Sequence, residues 1–182
     1  MKQEIIMSGF GGQGVMVMGQ LLAYAGMLEE KTVSWMPSYG PEMRGGTANC
    51  SVIVSDEASG APIVYEPTAA VVLNLPSLDK FESTVKAGGV LIVNSSLIDK
   101  PVTRKDIKVF QVPINDIAGE LGNPKMGNMV ALGALVAAID AVSKESVYKA
   151  FAKKFASKPQ LLEANKVAID RGYECVKKQL VS

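Results

Sequence analysis

The residues whose types and spacing could do chemistry stand near the start of the chain, at Gly9-Phe10-Gly11-Gly12-Gln13-Gly14. They follow an apolar run, fit the spacing G-x-G-x-x-G and open a second apolar segment that reads as a helix. Glycines permit positive φ and let a ligand come close to the backbone. The free N–H groups of a helix start then face whatever sits on the turn, so the chemistry on offer is contact with phosphate or another anion. The same glycines would also serve simply to pack the helix against its strand. Two specific uses can be tested on the letters. A P-loop needs Lys-Ser or Lys-Thr after Gly14, and Val15-Met16 stand there instead. A dinucleotide site usually ends its second strand in an acid that takes the ribose hydroxyls. Here that strand ends in Ser34-Trp35-Met36, with Glu29 and Glu30 ahead of it, and NAD binding loses most of its support.

A second glycine-rich cluster runs Tyr39-Gly40-Pro41-Glu42-Met43-Arg44-Gly45-Gly46. Arg44 among small neighbours could clamp a carboxylate or phosphate in bidentate fashion, or pair with Glu42 to pin a surface loop. Tyr39 could stack on a ligand or close over the core. A third polar turn, Gly122-Asn123-Pro124-Lys125-Met126-Gly127-Asn128, precedes an apolar helix. Asn128 is expected to cap that helix, the alternative being that it faces the same crevice as the glycine loop. None of the three turns supplies an obvious catalytic group.

The elements around these turns read as alternating strands and helices. A strand over 4–8, a helix over 15–28 covered on both sides, and a strand over 31–36 make a βαβ unit. Further strands are expected over 47–55, 71–75, 90–94 and 107–112, with a helix over 77–86. The last third is helical: 129–139 with Gly133 tightly packed inside it, a helix capped by Ser143, and a final helix beginning at Pro159. The expected fold is α/β: one three-layer domain over 1–182 with a mainly parallel central sheet and a helical C-terminal third.

Composition narrows the function. The chain has 182 residues, 48% hydrophobic and 20% charged, with a net charge of +1. That excludes a disordered chain and gives no reason to expect a nucleic-acid partner. Mean hydropathy is +0.18, high for a small domain, which suggests that other subunits cover part of the surface. Histidine is absent, removing the commonest general base and metal ligand together. Cys50 and Cys175 stand far apart, cannot hold an iron–sulfur cluster and suit a reducing compartment as buried thiols. No catalytic residue and no metal ligand is therefore expected. The N-terminus lacks a signal-peptide core, and the apolar run over 129–139 is shorter than the roughly 20 residues a bilayer needs. A cytoplasmic protein with no membrane partner is expected.

Taken together, three motifs resemble a known family: Gly9-Phe10-Gly11-Gly12-Gln13-Gly14-Val15, the segment from Pro37 to Thr47, and Gly127-Asn128-Met129-Val130-Ala131-Leu132-Gly133. They resemble the gamma subunit of 2-oxoacid:ferredoxin oxidoreductases over nearly the whole chain. The version from Glu42 to Cys50 looks most like the 2-oxoglutarate members, with branched-chain (2-ketoisovalerate) and pyruvate enzymes as competitors. The resemblance implies a multisubunit enzyme that decarboxylates a 2-oxoacid on thiamine diphosphate, passes electrons through iron–sulfur clusters to ferredoxin and transfers the acyl group to coenzyme A. It implies that partner alpha and beta subunits, with a ferredoxin-like delta subunit as a further candidate, hold the thiamine diphosphate and the clusters. Ferredoxin itself would be met only indirectly. This chain would hold no cofactor alone and would help shape the entry for coenzyme A. On that reading Gly9, Gly11, Gly12, Gln13 and Gly14 are the backbone contacts, and Tyr39, Glu42 and Arg44 line the subunit crevice. Two rivals stay open: an independent nucleotide- or flavin-binding oxidoreductase, and a structural subunit whose loops touch only protein.

Overall fold

The computed structural model describes residues 1–38, 47–58 and 60–182. One sheet runs through it, built from β1 (Lys2–Gly9), β2 (Thr32–Ser38), β3 (Ala48–Ser55), β4 (Ala69–Val72), β5 (Val90–Asn94) and β6 (Lys108–Val112). Their order across the sheet is β2-β3-β1-β4-β5-β6. The pairs β1–β4, β4–β5 and β5–β6 are parallel, whereas β3 runs against both β1 and β2. The sheet is thus mainly parallel, as expected. The helices among the described residues are α1 (Val15–Leu28), α2 (Leu75–Phe81), α3 (Ile114–Glu120), α4 (Gly127–Ile139), α5 (Lys144–Lys154) and α6 (Leu162–Leu180). No helix of the described residues is long and apolar enough to cross a membrane.

The first βαβ unit takes a form its letters do not reveal. β1 and β2 do run parallel, but β3 lies between them. Burial explains the choice. Every residue of β3 except Ser51 is buried, whereas no residue of β2 is. The more apolar strand takes the interior position and leaves β2 at the edge, where Pro37 is tolerated because an edge strand need not donate on its outer side.

Successive residues of a strand point to opposite faces, and here both faces are covered. Ile5 and Met7 of β1, Val71 of β4 and Ile92 of β5 join the larger cluster with α1 and α3 to α6. Ile6, Ala70, Val72, Leu91 and Val93 turn the other way, onto Leu78 and Phe81 of α2 and onto Val85 and Ile98. Each buried Val, Leu, Ile or Met side chain among them contributes about 1.5–3 kcal/mol relative to exposure. Among the described residues the layers are unequal: five helices on one face, and one short helix with its following turn on the other.

Three helix starts show how local sequence sets the boundaries. α2 begins earlier than the sequence suggests because Asn74 caps it, its Oδ1 accepting the Ser77 N–H at 2.9 Å. Pro113 ends β6 as expected but also introduces α3, a helix the sequence reading leaves out. Ser143 caps α5 as predicted, accepting the Ser146 N–H at 3.2 Å. The N–H of Ser143 itself donates to Glu29 Oε2 at 2.8 Å, tying the end of α1 to the start of α5.

α4 is buried along nearly all its length and crosses α6 at backbone contact. A Cβ placed on Gly133 would lie 1.9 Å from the Ile169 carbonyl oxygen, and one on Gly172 would lie 1.9 Å from that of Val130. The two glycines face each other's helix, and neither contact has a flexible side chain that could yield. Gly133→Ala is therefore expected to destabilise the chain by about 3 kcal/mol. Urea unfolding should show a lower midpoint at an unchanged slope.

Glu29 gives a second expectation. Burial alone would raise its carboxyl, but the hydrogen bonds from Ser143 and Ser146 and the nearby Lys31 ammonium outweigh this and hold it below the usual 4.5. A depressed folded pKa adds stability that is present above the unfolded value and is lost as pH falls through the folded one. Wild type should therefore be more stable than Glu29→Gln near neutrality, and the two should converge below about pH 4. Urea midpoints measured at both ends of that range check it.

Candidate functional site

β1 ends at Gly9, and the chain turns through Phe10 to Gln13 before α1 starts. Gln13 closes the turn twice: its N–H donates to the Phe10 carbonyl at 3.2 Å, and its side-chain Oε1 accepts the Phe10 N–H. A Cβ on Gly9 would stand 2.5 Å from that Oε1 and 3.0 Å from Leu73, so Gly9 makes room for the turn. Gly12 and Gly14 adopt φ of +90° and +77°, a region that side-chain-bearing residues rarely enter. Gly11 borders open space. α1 then begins with no side-chain cap and no acid in its first turn.

Beside this turn lies a cleft of about 170 Å³. Gly12 and Gln13 line it from the loop, Leu73 and Asn94 from the carboxyl ends of β4 and β5, and Asn115, Lys125 and Asn128 from the starts of α3 and α4. The chain leaves β1 toward α1 on the larger face and leaves β4 toward α2 on the other. The cleft therefore sits where the winding changes sides, at the carboxyl edge of the strands, the usual place for a ligand in an open α/β sheet. Among the described residues its lining holds amides and one ammonium and no carboxylate. On the outer side of the loop, Phe10, Gly11, Gly14 and Val17 border a separate, more apolar groove with Ala48.

Asn94 and Asn128 fix the walls. Asn94 is fully buried; its Nδ2 donates to the Leu73 carbonyl at 3.0 Å and to Asn115 Oδ1 at 2.7 Å. Its Oδ1 accepts the N–H groups of Ser96 and Ile114, both at 3.2 Å. One side chain thus ties the ends of β4 and β5 to the start of α3. Asn128 does not cap α4: it is the second residue of that helix, and its Nδ2 donates to the Gly14 carbonyl at 3.3 Å. The capping expectation is replaced by the crevice alternative. Capping falls to Asn123, whose Oδ1 accepts the Lys125 N–H at 3.0 Å in the turn ahead of α4.

Of the residues expected at the site, Gly12 and Gln13 line the cleft, while Gly11 and Gly14 border the groove behind it. Gly9 packs on Gln13 and Leu73. Tyr39, Glu42 and Arg44 lie outside the described residues. The flanks of that second loop reach the same edge, since Ser38 pairs with Asn49 and Gly9 with Ala48. The sequence reading gave no role to Asn94, Asn115 or Lys125. Their one signal was an amide or a cation in a polar turn just after a strand or just before a helix.

Neither cysteine is a nucleophile in the cleft. Cys50 is fully buried between β3 and α1, and burial pushes its thiol up to about 12, leaving it neutral. Cys175 is half-buried on α6, not fully buried as expected.

The sequence profile of the family described as "Pyruvate ferredoxin/flavodoxin oxidoreductase" matches residues 4–175. The chain belongs to this family. It is 38% identical to the 2-oxoglutarate synthase subunit KorC of Methanocaldococcus jannaschii, over 97% of this chain and 95% of that one. It is 36% identical to the ketoisovalerate oxidoreductase subunit VorA of Methanothermobacter marburgensis, over 97% of this chain, and spans only 37% of that protein's length. Among solved structures, the gamma subunit of a keto/oxoacid ferredoxin oxidoreductase from Geobacter sulfurreducens superposes with a TM-score of 0.84 at 33% identity, with 97% of this chain and 99% of that one aligned. The chain is thus a gamma-type member of the family, and its α/β fold is that subunit's fold.

The contact between Gly14 and Asn128 is open to direct test. A Cβ on Gly14 would lie 2.4 Å from Asn128 Nδ2, and the φ of +77° adds backbone strain. Gly14→Ala should cost about 2 kcal/mol. Asn128→Ala in the same chain should return part of that loss, with a coupling of about 1 kcal/mol in a double-mutant cycle read by thermal unfolding. Strict additivity would mean that the two residues do not meet.

Proposed function

We propose that this chain is the gamma component of a 2-oxoacid:ferredoxin oxidoreductase acting on 2-oxoglutarate, and that its glycine-lined edge helps form the entry for coenzyme A. One observation carries the reading. A chain of an oxidoreductase family presents a cleft lined, among the described residues, by phosphate-compatible amides and one ammonium, with no carboxylate or thiol. Such a cleft binds and orients. Thiamine diphosphate and iron–sulfur clusters, held by alpha and beta subunits and a ferredoxin-like delta subunit, would supply the decarboxylation and the electron transfer. This chain's part is to fix the loop backbone, offer uncapped N–H groups at the start of α1 and exclude water along the subunit boundary. The assembly is expected to work in a reducing cytoplasm.

The choice of 2-oxoglutarate is supported by the Glu42-to-Cys50 sequence and by the 38% identical 2-oxoglutarate synthase relative. The ketoisovalerate relative, 36% identical, favours the second reading, a branched-chain 2-oxoacid. Co-expression with neighbouring thiamine-type and ferredoxin-like subunits tests the role. Purification should yield one complex whose coenzyme A-dependent ferredoxin reduction is lost when this chain is left out, and is fastest with 2-oxoglutarate among 2-oxoglutarate, 2-oxoisovalerate and pyruvate. A complex fully active without the chain, or a chain that binds NAD or flavin alone, would overturn the assignment.

A further inference from the structure

Among the described residues, one cation, Lys125, lines the cleft. Lys125 is exposed, and among the described residues no carboxylate pairs with its ammonium. Four other cations have carboxylate partners: Lys31 lies 3.4 Å from Glu29, Lys100 2.6 Å from Asp79, Arg104 2.7 Å from Asp106 and Arg171 2.5 Å from Glu120. The backbone of Lys125 is nonetheless fixed. Pro124 precedes it, Asn123 Oδ1 accepts its N–H at 3.0 Å, and the Asn123 carbonyl accepts the Met126 N–H at 3.0 Å. An ammonium on a pinned turn, lining the same cleft as the glycine loop, is poised for an anion that the described residues do not provide.

Lys125 and Asn128 also stand on a divide. Both line the polar cleft, and both line the neighbouring groove whose other walls are largely apolar. At about 170 Å³ the cleft is well below the roughly 300 Å³ that a complete small-molecule site usually occupies. It fits a phosphate or diphosphate group of a larger molecule, the remainder lying outside under another subunit's cover.

We propose that Lys125 is the specificity-determining cation of this cleft, binding a phosphate or diphosphate of the ligand opposite the backbone of Gly12, with Asn128 holding the loop in place through the Gly14 carbonyl. The proposal rests on the coenzyme A reading and adds to it the residues that recognise the charge. A charge-assisted contact of this kind makes about a tenfold difference or more in affinity.

The test uses the assembled complex carrying Lys125→Ala or Lys125→Arg, with coenzyme A and 3′-dephospho-coenzyme A as probes. Lys125→Ala should raise KM for coenzyme A about tenfold while kcat stays within about twofold, and Lys125→Arg should restore most of the loss. A KM that rises for both probes locates the contact at the diphosphate. A rise for coenzyme A alone locates it at the 3′-phosphate. Either result supports the proposal. An unmoved KM in Lys125→Ala, in a wild-type complex that does depend on coenzyme A, overturns this proposal alone. A wild-type complex without 2-oxoacid activity overturns the functional reading together with it.

Discussion

The Gly14 carbonyl is the point on which the site's geometry turns. It accepts the Met18 N–H at 3.1 Å, the first hydrogen bond of α1, and the Asn128 amide at 3.3 Å from the first turn of α4. A loop made largely of glycine has more backbone freedom to lose than any other, and its own side chains hold it through Gln13 alone. The tie from α4 supplies the missing restraint, because α4 is itself locked. Its backbone meets α6 where Gly133 and Gly172 leave no space for a methyl group. Two stretches of glycine therefore act in series. One lets helices touch at backbone distance, and the other depends on the rigidity that this contact provides.

The elements that were legible in the sequence are those whose information is local. The apolar run into the first glycine turn, the helix over 15–28 and the strand over 90–94 each carry their own periodicity and punctuation, and their observed limits match closely. The position of β3 was not legible. Its insertion between β1 and β2 is decided by which strand loses least water contact when placed at the edge, a comparison across the whole sheet. α3 escaped for a different reason. Its buried positions are only Ile114, Ile117 and Ala118, too few turns for a helical period to stand out after a proline.

The site divides in the same way. The glycine loop could be read from spacing because positive φ at Gly12 and Gly14 demands that residue type. The opposite wall could not. Asn94, Asn115 and Lys125 come from a strand end, a helix start and a capped turn, and only the winding of the sheet brings them to one cleft. Asn128 shows how fine the margin is. A shift of two residues in where α4 begins separates a helix cap from a side chain that reaches across to Gly14.

The surroundings of the cleft argue that water is not its final neighbour. Phe10, Leu75 and Leu97 follow closely on the carboxyl ends of β1, β4 and β5, and they remain 43%, 38% and 47% exposed. Single exposed apolar residues are ordinary, but here three rim the edge that bears the polar cleft. A partner subunit laid on that rim would bury them and lower the local dielectric at the same time. The attraction between an ammonium and a phosphate oxygen 4 Å apart is about 1 kcal/mol in bulk water and about 4 kcal/mol at an effective dielectric near 20. Covering the rim would therefore turn a weak surface charge contact into a selective one, with no new charged group added by this chain. On the proposed reading, that coupling between an apolar rim and a cation would let this chain influence what the complex accepts.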